Sequence, residues 1–360
     1  MLEVQNEFCL ETLYQEGVWL MFVPRRVIFE KGTLEYSLGN EIYSRFKNDD
    51  EVEIIKLSSN RVMSAVPGKD IYEKYREGKK TLVVGVKKSL KFQSCKPSAH
   101  YQLPLVSGCI GQCEYCYLNT QLGEKPFVRV HVNVDDILKQ AQKYIDERNP
   151  EITVFEGAAT SDPVPVEPYT NSLRKSIEYF GDQKLSRFRF VTKYNDIDGL
   201  LNINHNGHTE IRFSLNTDKI IKEYEHHTAS MEKRIEAAAK LAKAGYPIGF
   251  IIAPVFIYEN WKQEYEKVLD MLYDRIPKTL KSSIGFEIIS HRYTTKAKNI
   301  ILQVFPKTTL PMEDSERKFK YGQFGYGKFL YTKEQMEEIK TFFERELSSR
   351  FSKENIKYII

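Results

Sequence analysis

Beyond residue 100 the apolar positions alternate between two spacings. Short apolar runs at Ile152–Phe155, Phe188–Thr192, Ile211–Ser214, Ile248–Ile252 and Ile284–Ile289 have the length and the β-branched or aromatic content of strands. Between them, Asp135–Arg148, Pro168–Phe180, Ser230–Ala244 and Trp261–Arg275 carry apolar side chains at helical spacing. Strands and helices in this alternation predict parallel βαβ units with right-handed crossovers. A further strand near Gln102–Leu105 brings the count to about six, which favours an α/β fold with a partial (β/α)6 barrel over a closed eight-fold one.

Before residue 100 the pattern is mixed. Arg26–Glu30, Val52–Leu57 and Thr81–Val86 read as strands, and Tyr36–Phe46 and Asp70–Gly78 as helices. This predicts a small N-terminal α/β module over 21–98, joined by a Lys-rich connection to a barrel over 99–305. The tail, 306–360, holds a polar stretch rich in glycine and aromatics at 311–332 and then a closing helix, Lys333–Arg350. Residues 1–20 differ in character from the rest of the chain, and Met21-Phe22-Val23-Pro24 has the look of a start, so 1–20 reads as a leader or an added segment, with Cys9 incidental.

Composition narrows the class. With 41% hydrophobic and 28% charged residues in 360, the chain has ample material for a core and no reason for wholesale disorder. A formal net charge of +4 permits a basic patch without requiring one. The first 24 residues contain no Lys or Arg, and no apolar run approaches the roughly 20 residues that span a bilayer. The expectation is a cytoplasmic protein with no membrane partner.

The chemistry concentrates in Ser107-Gly108-Cys109-Ile110-Gly111-Gln112-Cys113-Glu114-Tyr115-Cys116-Tyr117. Five cysteines, three of them within eight residues, make a poor disulfide framework and a good metal-ligand set. Three thiolates spaced C-x3-C-x2-C suit a cubane 4Fe–4S cluster with one iron left open, because a cubane ordinarily takes four ligands. The alternative is structural zinc, which would need Cys95 or His100 as a fourth ligand.

This cysteine spacing, with an aromatic before the last Cys, resembles the radical S-adenosylmethionine (SAM) superfamily. The likeness narrows further. Cys109–Leu118, Phe155-Glu156-Gly157-Ala158-Ala159-Thr160-Ser161-Asp162-Pro163, and Glu225-His226-His227-Thr228 with Arg234 resemble the spore photoproduct lyase family over nearly the whole chain from residue 22. The resemblance implies a partial barrel of radical SAM type with an N-terminal α/β module and a C-terminal hairpin and helix. It implies a cluster on Cys109, Cys113 and Cys116 whose open iron binds SAM, and one-electron cleavage of SAM to a 5′-deoxyadenosyl radical by a low-potential electron donor. It also implies repair of 5-thyminyl-5,6-dihydrothymine in UV-damaged DNA to two thymines.

The family's hydrogen-donor cysteine falls at Ala159, which has no labile hydrogen, so the hydrogen-return step is expected to be impaired. The resemblance gives Tyr115 and Tyr117 a relay role, with Tyr115 also near SAM; the plainer reading is aromatic packing beside the cluster. Ser161, Lys193, Ser214 and Ala253 match SAM contacts at the ends of successive strands, as ligand sites of βα barrels do. Lys193 is otherwise a solvated strand end. Glu156 is expected to accept from the SAM ammonium, and Gly157 to admit a close backbone approach.

For DNA, Arg317–Lys328 combines four positive charges with aromatics and glycines, a composition suited to phosphate neutralisation and stacking. Arg317, Lys320, Tyr326 and Lys328 are the expected contacts, against the alternative of a solubilising loop. Asp162 either faces the substrate or caps the next turn. His226-His227 reads as structural. Two other functions stay open at this stage: a related radical SAM enzyme acting on another macromolecule, and a zinc-stabilised nucleic-acid-binding module.

Overall fold

A computed structural model of the chain describes residues 22–59, 61–321 and 327–360. The leader 1–20, Cys9 and Tyr326 lie outside the described residues.

The larger sheet is built from six successive parallel strands, here β1 (Ala99–Gln102), β2 (Thr153–Glu156), β3 (Ser186–Thr192), β4 (Thr209–Leu215), β5 (Ile248–Val255) and β6 (Gly285–Ser290). Each pairs with the next in sequence, and a seventh parallel strand, β7 (Ile356–Ile359), extends the β6 edge. On the other edge Ser94–Cys95 pairs antiparallel with β1. The sheet stays open, so the architecture is a partial α/β barrel.

Each strand presents one face to the helices and one to the concave interior. In β3 burial alternates strictly, with Phe188 and Phe190 on the fully buried side. Phe155, Phe188, Phe213, Phe250 and Phe286 line one continuous core that also takes in the N-terminal module. The crossover helix Met231–Lys243 shows how locally the pattern is set: Ser230 caps it by accepting from the Lys233 N–H, and Met231, Ile235, Ala238 and Leu241 bury its inner stripe. The expected helix Pro168–Phe180 is two pieces, Glu167–Thr170 and Ser172–Gly181, broken at Asn171, which takes a left-handed φ of 47°.

The concave face is ionic, not aliphatic. Arg212 pairs with Glu156 and, at 3.1 Å, with Glu287; Arg189 pairs with Glu287 and reaches Glu210 at 3.4 Å. The Tyr358 hydroxyl of β7 donates to Glu287 at 2.5 Å.

A second sheet runs, in spatial order, Glu53–Lys56, Arg26–Phe29, Thr81–Gly85, Val128–His131 and Val106–Ser107, the first four parallel and the last antiparallel. Its fourth and fifth strands come from beyond residue 98, while Ser94–Cys95 and β7 join the barrel sheet, so strand pairing crosses both expected domain boundaries. The C-terminal stretch forms an antiparallel hairpin, Lys318–Tyr321 with Gly327–Leu330, followed by the helix Lys333–Arg350 with a capping box at Thr332 and Gln335.

Candidate active site at the mouth of the barrel

The cysteine loop leaves the second sheet at Val106–Ser107 and crosses to the barrel. Gly108 makes that crossing: its φ is 82°, and a Cβ there would lie 2.3 Å from the Phe127 carbonyl oxygen. Its N–H donates to the Thr160 carbonyl at 2.9 Å, docking the loop beside the segment after β2. A largely buried lysine organises the first turn, because Lys79 Nζ donates to the carbonyls of Cys109 (2.8 Å) and Gly111 (2.7 Å). Asn119 Nδ2 holds the Cys113 carbonyl at 2.9 Å. Gln112–Cys113 then pairs antiparallel with Glu225–His226.

Cys109, Cys113 and Cys116 are brought close enough to influence one another's ionisation. Burial, with the nearby Asp162 carboxylate, pushes the Cys109 thiol up to about 12, and burial pushes Cys113 upward as well. Such thiols stay protonated until a cation displaces the proton, which is the behaviour of metal ligands. Among the described residues no three His, Cys, Asp or Glu side chains close on a single ion. A cubane does not require that, since each of its thiolates holds a different iron. Three neighbouring thiols, of which Cys109 Sγ already accepts from the Gly111 N–H at 3.3 Å as a cluster thiolate would, fit a 4Fe–4S cluster. His100 is not a fourth ligand for zinc: its Nδ1 accepts from the Val154 N–H at 2.9 Å and its Nε2 meets Arg148 at 3.2 Å.

Beside the loop the fold gathers Glu225, Lys193, Arg234 and Tyr115, each marked in the sequence, into one buried ionic cluster whose pairing the sequence does not announce. Glu225 is fully enclosed, ion-paired with Lys193 (2.7 Å) and Arg234 (2.7 Å), and accepts from the Tyr115 hydroxyl. Burial alone would raise its carboxyl, but Lys193 and Arg234 hold it down to about 2. Lys193 also donates to the Tyr115 oxygen at 3.1 Å. Thus Tyr115, expected near SAM, is locked by hydrogen bonds as well as packed on Phe256. Arg234 further donates to the Ser214 carbonyl (2.9 Å) and to Thr228 Oγ1 (2.7 Å), tying β4 to the Glu225–Thr228 turn. His226 contacts Glu114 at 2.8 Å and Tyr194 donates to the His227 carbonyl at 2.9 Å; both histidine positions hold the loop.

The expected cofactor residues divide. Ser161 Oγ is buried with no partner among the described residues. Ser214 is buried near the end of β4, and Ala253 lies near the end of β5. Glu156 is different: its carboxylate is engaged by Arg212, Arg189 and the Ala158 N–H, so it belongs to the ionic floor of the barrel and is not open to an ammonium. Gly157 is required for another reason than the one expected, because a Cβ would press to 2.8 Å on the Phe188 ring. Asp162 caps, accepting from the N–H groups of Val164 (3.3 Å) and Lys193 (2.8 Å); burial pushes it up to about 6.

Tyr117 reaches from the cysteine loop to the carbonyl of Ala159, to which its hydroxyl donates. Cys95, half-buried on the edge strand, lies within electrostatic reach of both Tyr117 and Glu156, and burial pushes its thiol up to about 11. In the hairpin, Lys320 and Lys328 are directly opposed across the strands and both are exposed. Arg317 is spent internally: it lies 3.8 Å over the Tyr331 ring and donates to the carbonyls of His291 (3.1 Å) and Pro311 (3.0 Å). It braces the base of the hairpin and is not free for phosphate.

A partial parallel barrel with a C-x3-C-x2-C loop at its mouth defines a radical SAM protein. The spore photoproduct lyase family model matches residues 22–360, and the chain belongs to that family. It is 57% identical to spore photoproduct lyase of Clostridium acetobutylicum over 336 residues, covering 93% of this chain and 98% of the relative. It is 44% identical to the Bacillus subtilis enzyme over 337 residues, covering 94% and 98%. Among solved structures, a spore photoproduct lyase carrying a Cys-to-Ala and a Ser-to-Cys exchange, with AdoMet and dinucleoside spore photoproduct bound, superposes with a TM-score of 0.90 at 44% identity, covering 95% of this chain and all of that one. Another, complexed with the dinucleoside lesion, matches equally well at 43% identity.

Proposed function

We propose that this protein returns spore photoproduct in UV-damaged DNA to two thymines, with Cys95 in place of the missing hydrogen donor. Family membership and relatives solved with the dinucleoside lesion support the substrate. The cluster on Cys109, Cys113 and Cys116 and the SAM at its open iron supply, when bound, a 5′-deoxyadenosyl radical that takes hydrogen from the lesion. A low-potential electron donor of a reducing cytoplasm provides the electron.

The remaining work falls to the chain's own residues. Ser161, Ser214 and Ala253 line the mouth where SAM docks, and Lys193, fixed by Glu225, sets a cation beside Tyr115. Once the bond linking the two bases has broken, a carbon radical on the departing thymine must gain one hydrogen atom. Ala159 has none to give. The observation that carries the reading is the place of Cys95 on the edge strand beside β1, within electrostatic reach of Tyr117, whose hydroxyl donates to the Ala159 carbonyl. With its thiol pushed up to about 11, Cys95 keeps its S–H bond at neutral pH. That bond breaks homolytically as the C–H bond forms; the thiyl radical takes the Tyr117 O–H hydrogen, and the tyrosyl radical so formed is passed by way of Tyr115 to the cofactor, which gives back the hydrogen atom it first took. The solved relative with paired exchanges loses one thiol and gains another, the same residue types found here.

The test is anaerobic turnover of dinucleoside lesion with SAM and dithionite by the Cys95→Ala protein. Lesion consumption should continue while thymine yield falls at least tenfold in favour of misquenched products. Ala159→Cys in the Cys95→Ala background should recover thymine. Unchanged yield from Cys95→Ala would sink the assignment of Cys95 without touching the family assignment.

A further inference from the structure

The N-terminal sheet has an opening of its own, remote from the cysteine loop. Its four parallel strands lie in the spatial order 53–56, 26–29, 81–85, 128–131. The chain leaves Arg26–Phe29 toward one side to form Glu53–Lys56, then comes back to place Thr81–Gly85 on the other. Connections that diverge in this way leave a crevice outside the carboxyl ends of the two central strands, the usual seat of ligands in open α/β sheets. A cleft of about 330 Å³ lies there, its lining including Glu30, Lys87, Lys88, Ser89, Arg129 and His131. The strand Val106–Ser107, antiparallel to Val128–His131, carries the chain to Gly108 at the opposite end of the sheet, so the cleft and the cysteine loop are separate places.

The lining is cationic and fixed. Arg129 pairs with Glu30 at 3.1 Å, and Lys88 also lies within electrostatic reach of that one carboxylate, so the cations outnumber it. Lys87 and Lys88 make no ion pair among the described residues. The loop that carries them is pinned on both sides by one side chain: Asn133 Oδ1 accepts from the Lys87 N–H at 2.8 Å and Asn133 Nδ2 donates to the Lys87 carbonyl at 3.1 Å. His131 is buried and held at 2.8 Å from the Pro104 carbonyl oxygen. A larger groove of about 550 Å³ between the C-terminal helices offers nothing comparable, since Lys262, Lys333 and Arg345 there are matched by Glu334, Glu337 and Glu338.

We propose that this crevice is a phosphate-binding site, with Lys87 and Lys88 neutralising the oxyanion and the Ser89 hydroxyl available as a donor. The phosphate belongs either to a nucleic-acid backbone or to a small phosphorylated molecule. Full-length, cluster-loaded protein carrying Lys87→Glu/Lys88→Glu would be compared with the wild type and with a charge-matched control, Lys267→Glu/Lys340→Glu, on exposed helix positions. The probes are inorganic pyrophosphate and a short undamaged DNA duplex, each titrated at several salt concentrations, with dinucleoside lesion turnover measured alongside.

A duplex affinity at least tenfold weaker, with a salt slope smaller by about two, assigns the site to the DNA backbone. Loss of pyrophosphate binding alone assigns it to a small phosphorylated ligand. In both cases dinucleoside turnover stays at the wild-type rate, because the catalytic mouth is untouched. If neither probe binds less tightly than to the control variant, the proposal is overturned.

Discussion

At the scale of single residues, the site depends most on a carboxylate that touches no expected ligand. Glu225 neutralises Lys193 and Arg234 at once and orients Tyr115. Removing one member of a buried charge set leaves the others uncompensated, at a cost of about 3–5 kcal/mol. Glu225→Gln should therefore lower the denaturation midpoint by a corresponding amount, and Tyr115 should lose its fixed orientation. A midpoint within error of the wild type would show that the cluster is not ionised as described. The motif Glu225-His226-His227-Thr228 with Arg234 marks the residue, but its buried ion pairs cannot be read from the motif. Its partners lie 32 and 9 positions away, and an acid beside two histidines reads as a surface feature until the fold brings the cations to it.

At the scale of elements, the hairpin explains a local cost. Lys320 and Lys328 face each other across an antiparallel pair, where like charges repel, and neither makes an ion pair among the described residues. A phosphate between them would relieve that repulsion. Lys320→Glu/Lys328→Glu should weaken lesion-duplex binding at least tenfold and reduce the salt slope by about two, while turnover of the dinucleoside is retained. Equal losses on duplex and dinucleoside would point to damage at the barrel mouth instead.

The same elements show what a pattern can and cannot announce. Trp261–Arg275 is legible to the residue because its apolar stripe runs its full length. Val128–His131 and β7 are four-residue strands whose partners are distant, so periodicity has too little length to register them. The cysteine loop stands out in the sequence because the spacing of its three cysteines is a local property. The commitment of Glu156 and Arg317 to internal partners is not, because it is decided by residues 56 and 26 positions away.

At the scale of the molecule, buried ionisable groups set opposing responses to acid. His131 and His291 are held down by burial, to about 4 and about 3, from an ordinary 6.5. The unfolded chain takes up these protons first, so the stability they contribute is complete above pH 6.5 and is lost as the pH falls toward 4 and 3. Burial pushes Asp162 up to about 6 and Glu167 to about 7, which acts in the opposite sense as the pH falls from 7 to 4. His291→Gln removes one of the acid-sensitive contributions, so the difference in unfolding free energy between pH 6.5 and pH 4 should change in favour of the low-pH state, at about 1.4 kcal/mol per unit of pKa difference. Thermal denaturation at the two pH values measures it; an unaltered difference would mean that His291 titrates normally.

The interleaving of the two sheets bears on how the polypeptide can be cut and how it acquires its structure. Val128–His131 completes the N-terminal sheet but is synthesised after the first strand of the barrel, and Cys109 lies on the stretch between them. A fragment ending near residue 98 would carry Thr81–Gly85 as a bare, largely apolar border, the kind of edge on which chains stick to one another. The cysteine loop is therefore fastened down only when both halves have met, because its anchors come from both sheets.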